Sequence, residues 1–216
     1  MTSPRAIADC RLYLCTPDRP DLAPFVAACI AGGVDVVQLR DKHLEAKPLL
    51  ERARLVRSVC ADHGVPFILN DRPDLALDIA ADGVHVGQDD APVALARRVL
   101  GPDALIGLST HNPDDLAAAT DPSGPQLSCI SYISAGPVEP TPTKPGRPGT
   151  GLDYLRLATT RSPVPVFVTG GVTPGRIATL ADNGARNFVV VRYLTEAPDP
   201  QLAARALRDA IDSIPT

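Results

Sequence analysis

"VDVVQLRDK", residues 34–42, opens as an ordinary strand on Val34, Val36 and Val37 and then sets Gln38, Arg40 and Lys42 at every second position. Side chains along a strand alternate between its two faces, so these three polar groups share one face. A strand with an apolar body and an amide, a guanidinium and an ammonium at its tip is buried along its length and used at its end. The rest of the chain repeats that pattern.

Short apolar runs read as strands near residues 11–16, 35–40, 66–71, 83–88, 105–110, 130–136, 164–170 and 187–192. Their near-continuous, β-branched character suits strands covered on both faces, as in parallel sheets. Helical patterns lie between them. The clearest spans 46–61, where Leu49, Ala53, Val56 and Cys60 form a stripe and Glu51, Arg52, Arg54 and Arg57 fall mostly off it. The last helix carries the stripe Ala203, Leu207, Ala210 and Ile214. Glycines at 32–33, 64, 83, 101 and 184 fall where helices return to strands, as C-caps do.

Eight β-then-α units with no linker and no shift of composition predict an α/β chain, a single-domain (β/α)8 TIM barrel over residues 1–216. A doubly wound open sheet is the alternative arrangement of the same elements.

Composition narrows the partners. The net charge of -4 offers no basic footprint for nucleic acid, so small molecules are the expected ligands. The longest apolar run, "LAPFVAACIAGGVDVV", is interrupted by Pro24, Gly32, Gly33 and Asp35, so no membrane span is expected. The opening "MTSPRAIADCRLYL" lacks the apolar core of a secretory signal. Cysteines at 10, 15, 29, 60 and 129 form no C-x-x-C pair, which suits reduced thiols in a cytoplasm. The sequence is compatible with a homo-oligomer.

A barrel gathers its function at the C-terminal ends of its strands. The polar residues of this sequence gather there too. Gln38, Arg40 and Lys42 end the second strand, and Asn70 and Asp71 end the third. "GQDD", residues 87–90, follows the fourth, and Ser109, Thr110 and His111 end the fifth. Burying unpaired cations is costly, so three convergent donors imply water or an anion. Asp71, Asp89 and Asp90 could each cap a following helix. Taken together beside cations, carboxylates from neighbouring strands suggest a hard divalent ion, and Mg2+ is one that takes one or two carboxylates plus water and phosphate.

The sixth strand leads into "GPVEPTPTKPGRPGTG", residues 136–151, where prolines stiffen a loop that offers Thr141, Thr143 and Lys144. A stiff loop loses less entropy when it binds. After the seventh strand, "VTGGVTPGR" pairs Gly170 and Gly171 with a helix start, a combination that suits phosphate. His85 lies within a strand and reads as a packed residue, while His43 and His63 read as surface positions. No Ser/His/Asp or Cys/His nucleophile pattern is present. The mouth therefore offers two anion sites, one with cations and a metal and one built from glycine backbone.

The ordered set "QLRDK", "ND", "ADGVHVGQDD", "LST", "GPV..TPTK", "TGGV" and "VVR…DP" resembles the thiamine phosphate synthase family from Leu12 to Pro200. Members of that family are (β/α)8 barrels that join 4-amino-5-hydroxymethyl-2-methylpyrimidine diphosphate to a thiazole phosphate, giving thiamine phosphate and pyrophosphate with Mg2+. The resemblance implies that Gln38, Leu39, Arg40, Asp41, Lys42, Asn70, Ser109 and Lys144 hold the pyrimidine diphosphate. It implies Mg2+ at Asp71 and Asp90, with Asp89 at a variable position. Thr141, Pro142, Thr143, Gly171, Val191 and Arg192 would line the thiazole phosphate side.

Two departures stand out. Arg192 takes a position where the family commonly has Ser, and "TDPSGPQLSCISYIS" differs from the usual entry to the sixth strand. The mechanism implied by the resemblance is dissociative: pyrophosphate leaves, a pyrimidinylmethyl cation forms, and the thiazole nitrogen captures it without a general base. Two other readings are a related barrel that isomerises a thiazole phosphate and a non-catalytic sensor of phosphate ligands. The first would have little use for the full cation and carboxylate set, and the second has no visible effector domain.

Overall fold

The structure is a computed structural model and describes residues 6–142, 146 and 148–215. In chain order, the first half forms β1 (Leu12–Thr16), α1 (Leu22–Ala31), β2 (Val36–Leu39), α2 (Ala46–His63), β3 (Phe67–Asn70), α3 (Pro73–Asp78), β4 (Gly83–Val86) and α4 (Val93–Leu100). The second half forms β5 (Leu105–Thr110), α5 (Pro113–Thr120), β6 (Tyr132–Ala135), α6 (Gly151–Arg161), β7 (Val166–Val168), α7 (Pro174–Asp182), β8 (Asn187–Val190), α8 (Arg192–Thr195) and α9 (Pro200–Asp212). The strands pair in parallel, each with the next, and β8 closes on β1 with Leu12 opposite Phe188. The closed (β/α)8 barrel is the predicted fold, and the open sheet is excluded.

The period of two along each strand sorts the core into two parts. Tyr13, Val36, Ile68, Tyr132 and Phe167 turn inward and fill the barrel with Ile7 and Cys10 beneath them. Their neighbours Leu12, Leu14, Val37, Leu39, Phe67 and Leu69 turn outward and pack under the helices. Gln38 thus follows Val36 on the inner face, and Arg40 and Lys42 continue that face above the end of β2. This is why one strand ends in three polar groups on one side: they stand in the barrel mouth.

Helix α2 buries Leu49, Ala53, Val56 and Cys60, the expected stripe. It stops at Gly64, whose left-handed backbone (φ 65°) is the cap that ends it. Two expectations need correction. Gly83 is not a cap but the first residue of β4, where a Cβ would lie 1.9 Å from the Leu105 carbonyl oxygen. Helix α9 buries Ala204, Leu207 and Ile211, with Ala203, Ala210 and Ile214 at the edge of the core. Its rotation is set by contact, because a Cβ on Gly32 would lie 2.5 Å from the Ala204 Cβ. An alanine-rich helix offers several similar stripes, and only the neighbour selects one.

Except for β5, which fills its run 105–110, the strands are shorter than the apolar runs that predict them. β7 covers Val166–Val168 of the run 164–170, and β4 covers Gly83–Val86 of 83–88. Their ends leave the ladder to become loops. Among the described residues no helix is long and apolar enough to cross a membrane. Four cysteines are buried and Cys129 is half-buried, with no disulfide among them.

Candidate active site

A cavity of about 550 Å3 opens at the C-terminal end of the barrel, lined from all eight strands or the loops after them. Cys15, Gln38, Asn70, Ser109 and Ser134 form part of its floor and inner wall. Arg40, Lys42, Asp71 and Asp90 stand on one side of the rim, and Thr141, Gly170, Gly171, Val191 and Arg192 on the other. The two expected anion sites therefore share one cavity.

The floor is tied together by side chains. Gln38 Nε2 donates to Asn70 Oδ1 at 2.9 Å, joining the ends of β2 and β3. Both are buried. An amide pair of this kind fixes each group's remaining donors and acceptors toward the cavity.

The carboxylates are held by backbone. Asp71 has a left-handed φ of 62°, uncommon for a residue with a Cβ, while its N–H continues the ladder to the His85 carbonyl at 2.8 Å. Asp90 Oδ2 accepts from the Gly87 N–H at 2.9 Å, and a Cβ on Gly87 would lie 2.8 Å from that oxygen. Glycine at 87 is thus what lets "GQDD" fold its last carboxylate back onto the turn. Lys42 Nζ lies 3.0 Å from Asp71 Oδ2.

Asp71 and Asp90 act on each other's charge. Burial pushes the Asp71 carboxyl up, and the neighbouring Asp90 adds to this against the pull of Lys42. Burial also works against charge on Asp90, but hydrogen bonds from Asp71 and the Gly87 N–H, with the Lys42 and Arg40 charges, hold it low. Two neighbouring carboxyls pushed in opposite directions form a donor set that a cation could use. No cluster of three or more His, Cys, Asp or Glu side chains able to hold a metal occurs among the described residues. A cation at this pair would complete its shell with water and ligand oxygens, as Mg2+ does.

Not every expected residue turns its side chain inward. Leu39 is buried in the core beneath the helices, so only its backbone can reach the mouth. The Asp41 carboxylate accepts N–H groups from His43 (2.9 Å), Leu44 (3.1 Å) and Asp18 (3.3 Å) and organises the loop below Lys42. Asp89 is exposed on the rim, and Pro142 is exposed beyond Thr141. Thr143 and Lys144 lie outside the described residues.

Gly170 and Gly171 both take left-handed backbone (φ 91° and 74°) before Pro174 starts α7. Behind this turn, Arg176 Nη1 lies 2.5 Å from Glu139 Oε1, and a Cβ on Gly171 would lie 2.4 Å from Glu139 Oε2. The loop carrying Thr141 is closed at its neck, where Thr150 N donates to the Pro137 carbonyl (2.8 Å) and Gly151 N to the Val138 carbonyl (3.1 Å).

Three lining residues gave no clear signal in the sequence, and a fourth, His111, was legible only as the end of the fifth strand. Tyr13 and Tyr132 look like ordinary apolar strand residues, yet both reach the cavity floor. His85, expected to be packed, is buried and also lines the cavity. His111 lines it too, and its Nδ1 donates to the Gly136 carbonyl at 2.5 Å. The inward period of β1, β4 and β6 was the signal available for the first three.

Residues 12–194 match the profile of the family described as thiamine monophosphate synthase. The chain is 46% identical over 205 residues to a thiamine-phosphate synthase of Streptomyces avermitilis, covering 92% of both chains. It is 43% identical over 221 residues to one of Mycobacterium sp. (strain KMS), covering 96% of this chain and 95% of that one. Its fold is similar to that of a thiamine phosphate pyrophosphorylase from Pyrococcus furiosus, with a TM-score of 0.84, 25% identity, and 97% and 98% of the two chains covered.

Proposed function

The chain belongs to the thiamine monophosphate synthase family and is a transferase, and on that premise we propose that it moves a hydroxymethylpyrimidine group from its diphosphate onto a thiazole phosphate. The observation that carries this reading is one cavity holding the Arg40/Lys42/Asp71/Asp90 rim opposite the Gly170–Gly171 turn. Two phosphate-bearing substrates can meet there.

Arg40 and Lys42 would hold the diphosphate, with Lys144 of the loop after the sixth strand. Gln38 and Asn70 would orient the pyrimidine from the floor. Ser109 would donate to the leaving group. Leu39 and Asp41 would contribute backbone and loop shape. On the other side, the Gly171 and Val191–Arg192 backbone, with Thr141, Pro142 and Thr143, would receive the thiazole phosphate. Asp71 and Asp90 would hold Mg2+, which when bound neutralises part of the diphosphate charge.

The proposed reaction is dissociative. The bond from the pyrimidine methylene to the diphosphate oxygen breaks, and its electron pair leaves with pyrophosphate. The ring's amino group stabilises the cation, and the thiazole nitrogen lone pair forms the new bond. No proton moves in this step, which suits a site without a nucleophile-and-base pair. Opposite unit charges about 4 Å apart interact by about 4 kcal/mol at an effective dielectric of about 20, so fixed cations at the leaving group lower the barrier materially.

The experiment supplies both substrates with and without Mg2+ and follows pyrophosphate and thiamine phosphate. Release of both only with the metal is the expected result. Conversion of thiazole phosphate alone to an isomer, or binding without turnover, would overturn the reading. The enzyme is placed in the cytoplasm by the same reading.

A further inference from the structure

Below the cavity floor runs a chain of buried polar groups. The Tyr13 and Tyr132 hydroxyls are 3.0 Å apart, and the Tyr132 hydroxyl is 3.2 Å from His85 Nδ1. His85 Nε2 lies 2.9 Å from Ser109 Oγ. Gly107 of β5 makes the contact possible, since a Cβ there would sit 2.2 Å from Tyr132 Cζ and 2.3 Å from His85 Nδ1. Glycine weakens a strand interior. Here it leaves room for an imidazole and a phenol to meet.

Counting hydrogens leaves two directed arrangements. Each hydroxyl carries one hydrogen, and a neutral imidazole carries one N–H. Burial pushes both tyrosine pKa values up, so both phenols keep their hydrogens. In one arrangement Tyr13 donates to Tyr132, Tyr132 donates to Nδ1, and Nε2–H donates to Ser109. The reverse has Ser109 donating to Nε2 and Nδ1–H donating back to Tyr132. Only the first leaves the Ser109 hydrogen available to an anion in the cavity. Ser134 Oγ also donates to Ser109 Oγ, at 3.4 Å, and lies 3.5 Å from His85 Nε2; because a hydroxyl oxygen can accept twice, this contact is compatible with both arrangements.

We propose that Tyr13, Tyr132 and His85 are positioning residues that keep the imidazole proton on Nε2 and thereby present the Ser109 O–H to the diphosphate. The inference rests on reading this rim as the diphosphate cradle. It adds that a relay inside the barrel sets the polarity of one donor.

The test is nitrogen NMR of the full chain labelled at histidine, with His85 assigned by its loss in His85→Asn. A protonated Nε2 and a bare Nδ1 are expected. A proton on Nδ1, alone or with Nε2, overturns the proposal. Calorimetry with Mg2+ and pyrophosphate gives the second readout. Tyr132→Phe keeps the ring against Phe167 but removes its donor, and should weaken binding about tenfold, the scale of one hydrogen bond to a charged acceptor. Ser109→Ala should weaken it comparably, and the double variant no further than Ser109→Ala alone. Additive losses would also overturn it. If Tyr132→Phe does not fold, the wild-type tautomer decides by itself. Neither measurement needs turnover, so failure of the transferase reading shows separately, as a missing product.

Discussion

Lys42 Nζ lies 3.0 Å from Asp71 Oδ2. The ammonium comes from the loop after β2 and the carboxylate from the end of β3, so the cations and the carboxylate pair occupy one rim. Asp71, half-buried and beside Asp90, would be a poor place for negative charge without such a neighbour.

Asp71→Asn and Asp90→Asn should each lower pyrophosphate release by roughly a hundredfold, the scale of one lost electrostatic contact to a leaving group. Asp89→Asn, on the exposed rim, should stay within about twofold, as surface substitutions do. Initial rates across a series of Mg2+ concentrations check both. Full activity of Asp71→Asn would remove this pair from the site.

Glu139 and Arg176 tether the loop of Thr141 to the turn at Gly170–Gly171. The pair is partly exposed, so Glu139→Gln should cost only about 0.5 kcal/mol of stability. The kinetic effect should be one-sided: KM rises for the thiazole phosphate and not for the pyrimidine diphosphate. Gly171→Ala should be worse, because it meets both the Glu139 carboxylate and a left-handed backbone. Equal changes in the two KM values would argue against the tether.

Asp41 makes a pH prediction. Burial opposes its charge, but N–H donors from His43, Asp18 and Leu44 outweigh that and hold its pKa below the ordinary range. A carboxyl lowered on folding adds stability above its unfolded value, about 4, and loses it as pH falls through the folded one. Asp41→Asn should therefore be less stable by about 1 kcal/mol at neutral pH. Urea titrations at falling pH should show the gap close below about pH 4.

At the opposite end of the barrel, buried Asp35 accepts the Leu12 N–H at 3.0 Å and pairs with Arg208 of α9. Removing one partner of a buried pair strands the other, so Asp35→Ala should cost about 3 kcal/mol. Both KM values should be unchanged in the folded fraction, since this end of a barrel carries stability and not chemistry. Chemical denaturation beside steady-state kinetics separates the two effects.

Much of the barrel was legible because its rules are local. The α2 stripe of Leu49, Ala53, Val56 and Cys60 follows from helical period alone, and the inward turn of Gln38 follows from strand alternation. Helix α9 was not legible to the residue, because Ala203, Ala204 and Ala210 suit more than one stripe until Gly32 sets the rotation. The rim was legible for a different reason: Arg40, Lys42, Asp71 and Asp90 are charged residues at strand ends, where burial without purpose is costly. Tyr13, Tyr132 and Gly107 were not, since tyrosine and glycine in a strand have ordinary explanations.

By itself the sequence determined the alternation of strand and helix, and with it which side chains could face inward and where charge would collect. Only the tertiary structure decided which of those groups meet. Gln38 reaches Asn70, Lys42 reaches Asp71 and His85 reaches Ser109 because closing the barrel sets neighbouring strands in register. His85 reaches Tyr132 across β5, over Gly107. Alternation is a property of the backbone within a few residues, whereas a hydrogen bond between strands depends on register and closure, which no single segment contains.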